Sequence, residues 1–273
     1  MLYFKKTRKR GDKSVDTKSK IEERLFHSGI KIPEIRYYQV TDSTNTRAKE
    51  YGKIRDTGAT SPVVFIADEQ TGGRGRLGRS FDSPRGGIYI SFLFYPKSSA
   101  ESATAITAYA AVKLAHVIKR LSGAEPRIKW VNDLYLGGKK LAGILTEGEA
   151  RSDGSLSYAV CGIGLNLESS ALSDELSTIA TSVEAETGLS LDPATVATEI
   201  IEEFLFGIDD FLSPVYYEEY RRLSLTLGSE VTVMASPPYD GTAVDVLPDY
   251  SLLVRAGGDL RRVYTGEVSV KQK

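Results

Sequence analysis

The 273-residue chain is poor in the residues that build disulfides and metal centres. It has one cysteine, Cys161, which excludes an internal disulfide and any zinc site made of paired thiolates. Its two histidines, His27 and His116, stand far apart, which argues against a histidine-rich metal centre. No apolar run reaches the ~18 residues of a membrane-spanning helix. The basic N-terminus lacks the apolar stretch of a secretion signal. A cytoplasmic protein with no membrane attachment is therefore expected. No internal repeat is visible.

What is present is an ordinary globular composition, 41% hydrophobic and 26% charged, in a chain long enough to bury a real core. The net charge of −1 is unevenly placed. Residues 1–20 hold Lys5, Lys6, Arg8, Lys9, Arg10, Lys13, Lys18 and Lys20 against Asp12 and Asp16, so a basic leader precedes an acidic body. Such a leader could touch nucleic acid. Its aromatics do not interleave with its basic residues, and little in it is apolar. A solvated leader over 1–34 is expected, partly disordered or with one short helix over 21–34 ended near Gly29 and Pro33.

Periodicity and turn residues divide the rest. Ile35–Val40 reads as a strand, and Ser43-Thr44-Asn45 offers N-cap side chains for a helix through about Tyr51, stopped at Gly52. Pro62–Glu69 and Ile88–Tyr95 read as strands around a glycine and arginine loop from Gln70 to Gly87. Ala103–Leu121 is a helix with Leu114, Val117, Ile118 and Leu121 on one face. Arg127–Val131, Lys140–Glu147 and Leu156–Leu167 are strands, with Gly137-Gly138 turning the chain between Leu136 and Lys139. Cys161, inside the last of these, is expected to be inert core. From Leu172 to Leu223 the pattern is helical. Asp192-Pro193 opens a helix lined by Val196, Ile200, Phe204, Ile208 and Phe211 or Leu212. After Leu227-Gly228 come short β runs, Glu230–Met234, Gly241–Val246, Ser251–Val254 and Val263–Val268, which suggest a small barrel.

The segment from Gln70 to Arg79 is the most unusual in the chain. Gly73, Gly75 and Gly78 spell G-x-G-x-x-G, and Gly73 to Ser80 come within one residue of a P-loop. Both motifs need a helix starting at the last glycine to hold phosphate. The residues after Gly78 read as a loop, so both readings are rejected. Arg74, Arg76, Arg79 and Arg85 face only Asp82 there. Such a loop should repel itself and move until an anion joins the arginines. A second constellation runs from Lys129-Trp130-Val131-Asn132-Asp133 to Lys140 and Leu145. Asn132 and Asp133 alone would be turn formers. Lys140 opens an apolar strand, either as an edge lysine or as a functional one. The third is Gly162-Ile163-Gly164-Leu165-Asn166, which alone would be a bulged strand end.

Taken in order, these segments resemble the biotin protein ligases. Ser43-Thr44-Asn45 fits the family's S-T-N, and Glu69-Gln70 through Arg79 fits its E-Q-x-x-G-R-G-R-x-G-R loop. Lys129-Trp130 to Leu145 fits K-W-P-N-D followed by K-x-x-G-I-L, and Gly162 to Asn166 fits G-x-G-x-N. Gly266-Glu267-Val268-Ser269 looks like its C-terminal G-E-V-S. The resemblance covers about residues 35–270. Two positions depart from it: Val131 stands where the family usually has proline, and Phe81 where it often has tryptophan.

The resemblance implies an α+β fold, a mixed β-sheet with helices packed on one side of it, akin to lipoate ligases and class II synthetases. A small SH3-like β-barrel follows. Residues 35–224 would be the catalytic biotin- and ATP-binding domain and 225–273 the SH3-like one. The implied enzyme makes biotinyl-5′-AMP from biotin and ATP with Mg²⁺, and passes the biotinyl group to a lysine of a biotin carboxyl carrier protein. Ser43, Thr44, Asn45, Gln70, Gly73, Arg74, Gly75, Arg76 and Lys140 fall on biotin-binding positions. Arg74, Arg76, Arg79, Phe81, Lys129, Asn132 and Asn166 fall near the nucleotide. Lys140, Arg76 and Lys129 would carry catalysis, with no assured protein ligand for a metal. About 34 residues precede the first strand, fewer than the roughly 60 of an independent winged helix-turn-helix. DNA is therefore not expected as a partner, while a homodimer is allowed for. A lipoate or octanoate ligase on the same fold is the near alternative, disfavoured by the whole arginine loop. A nucleic-acid-binding regulator is the distant one, disfavoured by the overall charge.

Overall fold

Alternation along the strands explains the layers. In β2 (Val63–Ala67), Val64 and Ile66 face one buried cluster while Val63 and Phe65 face another. In β3 (Gly87–Phe94), Ile88, Ile90, Phe92 and Phe94 join the first cluster and Leu93 the second. In β7 (Leu156–Asn166), Ala159, Cys161, Ile163 and Leu165 join the first, Tyr158 and Val160 the second. These strands thus carry apolar residues on both faces. The chain is seen here in a computed structural model that describes residues 13–54, 61–264, 266 and 268–271.

With β1 (Glu34–Tyr38), β4 (Arg127–Lys129), β5 (Asp133–Leu136) and β6 (Lys139–Ala150) they form a seven-stranded sheet in the order β1-β2-β3-β7-β6-β5-β4. The β1–β2 pair is parallel and the other pairs are antiparallel, so the sheet is mixed. The α-helix α3 (Ala103–Ser122) covers the first face together with α5 (Pro193–Gly207) and α6 (Pro214–Leu223). Phe204 of α5 stacks on Phe92 with ring centroids 3.9 Å apart. Asp192 caps α5 by accepting from the Thr195 N–H, with Pro193 in the first turn. Burial pushes the Cys161 thiol up to about 12, so it stays protonated and unreactive.

The expectation of helices on one side needs correction. The helix α2 (Thr44–Ile54) lies on the opposite face, where Ala48 packs with Val63, Phe65, Leu93, Tyr158 and Val160. It also runs past Gly52 instead of stopping there. A Cβ at Gly52 would lie 3.1 Å from Leu93 and 3.2 Å from the Tyr158 ring, so glycine lets the helix approach the sheet.

The helix α1 (Lys13–Ser28) also departs from expectation. It begins at Lys13, before the expected 21, and ends at Gly29 with φ +76°. Ile21 and Leu25 are fully buried, and the helix packs on α5. Two apolar side chains one turn apart suffice to dock an otherwise polar helix. Residues 13–28 are therefore structured, whereas the leader expected over 1–12 lies outside the described residues.

The C-terminal strands β8 (Glu230–Val233), β9 (Tyr239–Val246), β10 (Leu252–Ala256), β11 (Asp259–Val263) and β12 (Val268–Val270) form an antiparallel sheet in the order β11-β10-β9-β8-β12. It matches the expected SH3-like unit, although the run expected over Val263–Val268 is the end of one strand and the start of another. The Trp130 indole N–H donates to Tyr250 O at 2.8 Å, and its backbone N–H donates to Thr226 Oγ1 at 2.9 Å. Those bonds tie the end of β4 to the second sheet. Among the described residues, no helix is long and apolar enough to cross a membrane.

Candidate active site

The α2 face of the sheet changes character toward its far end. Ser91, Gly162 and Leu145 stand side by side on β3, β7 and β6. The next row is Tyr89, Gly164 and Gly143. Three glycines in two rows leave a floor with no side chains of its own. The floor is tightly used: a Cβ at Gly162 would sit 2.0 Å from Asn45 Oδ1, and one at Gly164 2.6 Å from the Phe81 ring. Above it opens a cleft with a volume of about 150 Å³.

One end of the cleft is polar and enclosed. Ser43, Thr44 and Asn45 are 3%, 4% and 5% exposed at the start of α2. Asp42 precedes them, accepting from the Ser43 N–H at 2.6 Å and from Arg47 at 2.7 Å. Burial alone would raise the Asp42 carboxyl, but these hydrogen bonds hold it below the usual range. Gln70 Oε1 accepts the Thr44 N–H at 2.8 Å, and Gln70 Nε2 donates to Ser83 Oγ at 2.9 Å. The Thr44 N–H can only donate, so it fixes the Gln70 amide with Oε1 toward α2.

The other end is cationic. Among the described residues lining the cleft, Arg74, Arg76, Arg79, Lys129 and Lys140 are opposed by one carboxylate, Asp133. That imbalance attracts anions. The arginine loop doubles back on itself: Gly75 N–H donates to Arg79 O at 2.7 Å, and Phe81 N–H to Gly73 O at 2.9 Å. Gly73 is a structural necessity, because a Cβ there would lie 2.2 Å from Phe81 O. The arginines are not all without internal partners, contrary to expectation. Arg76 donates to Asn132 Oδ1 at 3.2 Å, and Arg85 pairs with Glu69 at 3.2 Å. Asn132 in turn donates to Ile144 O at 3.0 Å, so the loop is tied to β6.

Lys140 faces the cleft because of a bulge. Strict alternation would put it on the same face as Ala142 and Ile144, which are core. The pairing of β5 with β6 shifts between Leu134 and Tyr135, so Leu141 and Ala142 both turn inward. Lys140 is thereby thrown to the side of Gly143, whose Cβ would lie 3.3 Å from its Nζ. The hairpin that holds this register is closed by Gly137 and Gly138, at φ +57° and +80°. Lys140 Nζ lies 2.9 Å from Asp133 Oδ1. Lys139 points elsewhere and donates to Ser177 O at 2.6 Å.

Twelve of the fourteen residues singled out from the sequence line this one cleft. Gly73 and Asn166 do not. Asn166 is a buried brace: its Nδ2 donates to Thr181 O at 2.9 Å, and the Thr181 N–H donates to Lys140 O at 2.8 Å. Sequence reading missed Asp133, taken as a turn former, and it missed Ser91 and Glu147 behind the polar end. It also missed the wall given by the second sheet. Gly266 and Val268 line the cleft, while Glu267 between them lies outside the described residues.

Comparison with known proteins agrees with this geometry. The sequence profile of the Biotin/lipoate A/B protein ligase family matches residues 37–166, the stretch that supplies the floor, the arginine loop and Lys140. A biotin–[acetyl-CoA-carboxylase] ligase of Paracoccus denitrificans is 35% identical over 181 residues, which cover 64% of this chain and 68% of that protein. The bifunctional ligase/repressor BirA of Bacillus spizizenii is 28% identical over 276 residues, spanning 96% of this chain and 83% of its own length. The structure of the biotin protein ligase from Aquifex aeolicus in complex with biotin and ATP is similar at a TM-score of 0.73 and 25% identity, over 89% of this chain and 100% of that one. With its motifs converging on one cleft in this fold, the chain belongs to the biotin protein ligases of the biotin/lipoate ligase family.

Proposed function

We propose that this protein activates biotin with ATP and transfers the biotinyl group to a lysine of a biotin carboxyl carrier protein. The observation that carries this reading is a single cleft with an enclosed hydrogen-bonding end, a glycine floor and a cationic end, with Lys140 beside the floor. A ureido ring can pair with Ser43, Thr44, Asn45 and Gln70 while the acyl chain runs past the Phe81 ring along the glycine floor. The carboxylate then reaches Lys140.

The chemistry needs two anions brought together. A biotin carboxylate oxygen attacks the α-phosphorus of ATP, and pyrophosphate leaves. Lys140, Arg76 and Lys129 neutralise the reacting groups and stabilise charge on the phosphoryl oxygens. Arg74, Arg79, Phe81 and Asn132 surround the nucleotide. Magnesium would come as the counter-ion of ATP, and the Asp133 carboxylate on the cleft wall would offer it an oxygen while it offsets phosphate charge. In the second half, the neutral amine of an acceptor lysine attacks the biotinyl carbonyl carbon. AMP leaves with the bonding pair, and the amine loses its proton. No side-chain nucleophile of this chain takes part. Residues 35–224 act as the catalytic unit and 225–273 as an SH3-like unit that closes one wall, in a cytoplasmic enzyme.

Exchange of labelled pyrophosphate into ATP tests the reading. Exchange should depend on biotin and be absent without an acid. Equal exchange with lipoate or octanoate would assign the protein to the other branch of the fold. No exchange with any acid would remove the enzyme reading.

A further inference from the structure

Asn45 meets the cleft with a carboxamide whose direction is set from behind. One Nδ2 hydrogen goes to Leu145 O at 3.2 Å and the other to Glu147 Oε2 at 3.0 Å. Both partners only accept, so the amide has one orientation. Its Oδ1 is turned to the Ser91 hydroxyl at 2.6 Å and lies over Gly162. Ser91 has a single proton, and Asn45 Oδ1 is a pure acceptor, so that proton is committed to Asn45. Thr44 Oγ1 lies 2.7 Å from the same Ser91 oxygen and donates its own proton to Gln70 Oε1 at 3.1 Å. Glu147 is outside the cleft lining, yet it is held in place. Lys49, one turn after Asn45 on α2, pairs with Glu147 Oε1 at 2.5 Å, and both side chains are 26% exposed.

We propose that Glu147, clamped by Lys49, is a positioning residue for recognition of the acid's head group. It pins the Asn45 nitrogen away from the ligand, so that this end of the cleft presents a carbonyl acceptor to a ligand N–H. The inference rests on the biotin reading and deepens it. A cyclic urea has an N–H to give, whereas a dithiolane or a plain alkyl chain has none. Without the carboxylate, Asn45 can turn its NH₂ inward, where it would confront both the ligand N–H and the Ser91 hydroxyl proton. A site with mismatched buried donors rejects such a ligand strongly.

The test is the KM for biotin in pyrophosphate exchange by the full chain. Glu147→Ala should raise it about tenfold or more, the effect of one unmade buried hydrogen bond, with kcat and the KM for ATP within about twofold. Glu147→Gln keeps one acceptor oxygen for Asn45 and should lie within about threefold of the wild type. Asn45→Ala should raise the biotin KM at least as much as Glu147→Ala, and the double variant should be no worse than Asn45→Ala alone. Additive losses, or a Glu147→Ala defect shared equally by ATP, would mean that Glu147 only holds the fold and would overturn the assignment. So would an unchanged biotin KM in an enzyme that exchanges with biotin. Wild-type protein that shows no biotin-dependent exchange would instead sink the biotin reading, and this inference with it.

Discussion

Lys140→Ala separates two tasks of one ammonium. In the empty cleft its Nζ lies 2.9 Å from Asp133 Oδ1, with the side chains 31% and 20% exposed. Opposite charges about 4 Å apart attract by about 4 kcal/mol at an effective dielectric near 20, but desolvation and partial exposure leave a net of about 1 kcal/mol. Stability should fall by about that amount. The catalytic loss should be larger, because the ammonium meets a carboxylate while it attacks phosphorus. Removing one such preorganised donor costs about 2–4 kcal/mol, or about 30- to 1,000-fold in kcat/KM. The variant also leaves the Asp133 charge without its counter-ion where an anionic substrate must enter. Asp133→Asn in the Lys140→Ala background should therefore recover part of the biotin affinity, on the order of tenfold. Lys139→Ala is the control: its Nζ donates to Ser177 O on the exposed side, and its loss should cost no more than about 0.5 kcal/mol. Calorimetric biotin binding and exchange rates on the four proteins decide the matter. If Lys139 proves the sensitive residue, or neither lysine matters, the bulge argument for the register of β6 is wrong.

Trypsin should cut the arginine loop between Arg74 and Arg85 in the empty protein, and biotin with ATP should protect it; equal cutting in both states would show that the loop does not engage ligand. Glu219 accepts from Arg222 and His116, and the Arg222 hydrogen bond, acting against burial, holds its carboxyl at about 2 instead of 4.5. A depressed carboxyl stabilises above pH 4.5 and loses that contribution as the pH falls toward 2, so the Tm gap between wild type and Glu219→Gln should close over that range. A constant gap would mean that the pair is not formed in solution. Ile21→Ala and Leu25→Ala should each lower stability by about 2–5 kcal/mol in urea unfolding, with exchange per folded molecule unchanged. Losses near zero would return α1 to the status of a loose leader.

Much of the fold was legible because it follows from local rules. The strands that flank the arginine loop are dense in Val, Ile and Phe. The α5 helix announces itself with Asp192-Pro193, and Gly137-Gly138 allows the left-handed turn that joins β5 to β6. Errors arose where a residue answers to a distant partner. Gly52 looks like a helix stop, yet it serves the contact of α2 with Leu93 and Tyr158. The docking of α1 depends on Ile21 and Leu25 finding α5, more than 160 residues later in the chain. A polar segment gives little local sign of such a contact.

The site divides along the same line. Residues that meet the ligand sit in motifs of unusual composition, so Arg74, Arg76 and Lys140 could be picked out directly. Residues that aim them look ordinary. Ser91 is one polar residue in an apolar strand, and it makes sense only when its register with Gly162 sets it under Asn45. Glu147 ends a run of strand residues like any edge carboxylate, until its oxygens are seen to hold Asn45 and Lys49. Asp133 reads as a turn former, but the bulge beside it turns Lys140 onto its carboxylate. Each depends on strand register, which in turn depends on hairpin geometry and on which face of every strand is apolar. A single-residue slip of β6 would carry Glu147 to the core face and Leu145 O out of reach of Asn45. The cleft is therefore only as accurate as the packing of the opposite face, where Ala142, Ile144 and Ile163 hold the register against α3. A cavity there should be felt at Asn45 and Lys140 before the sheet itself is lost.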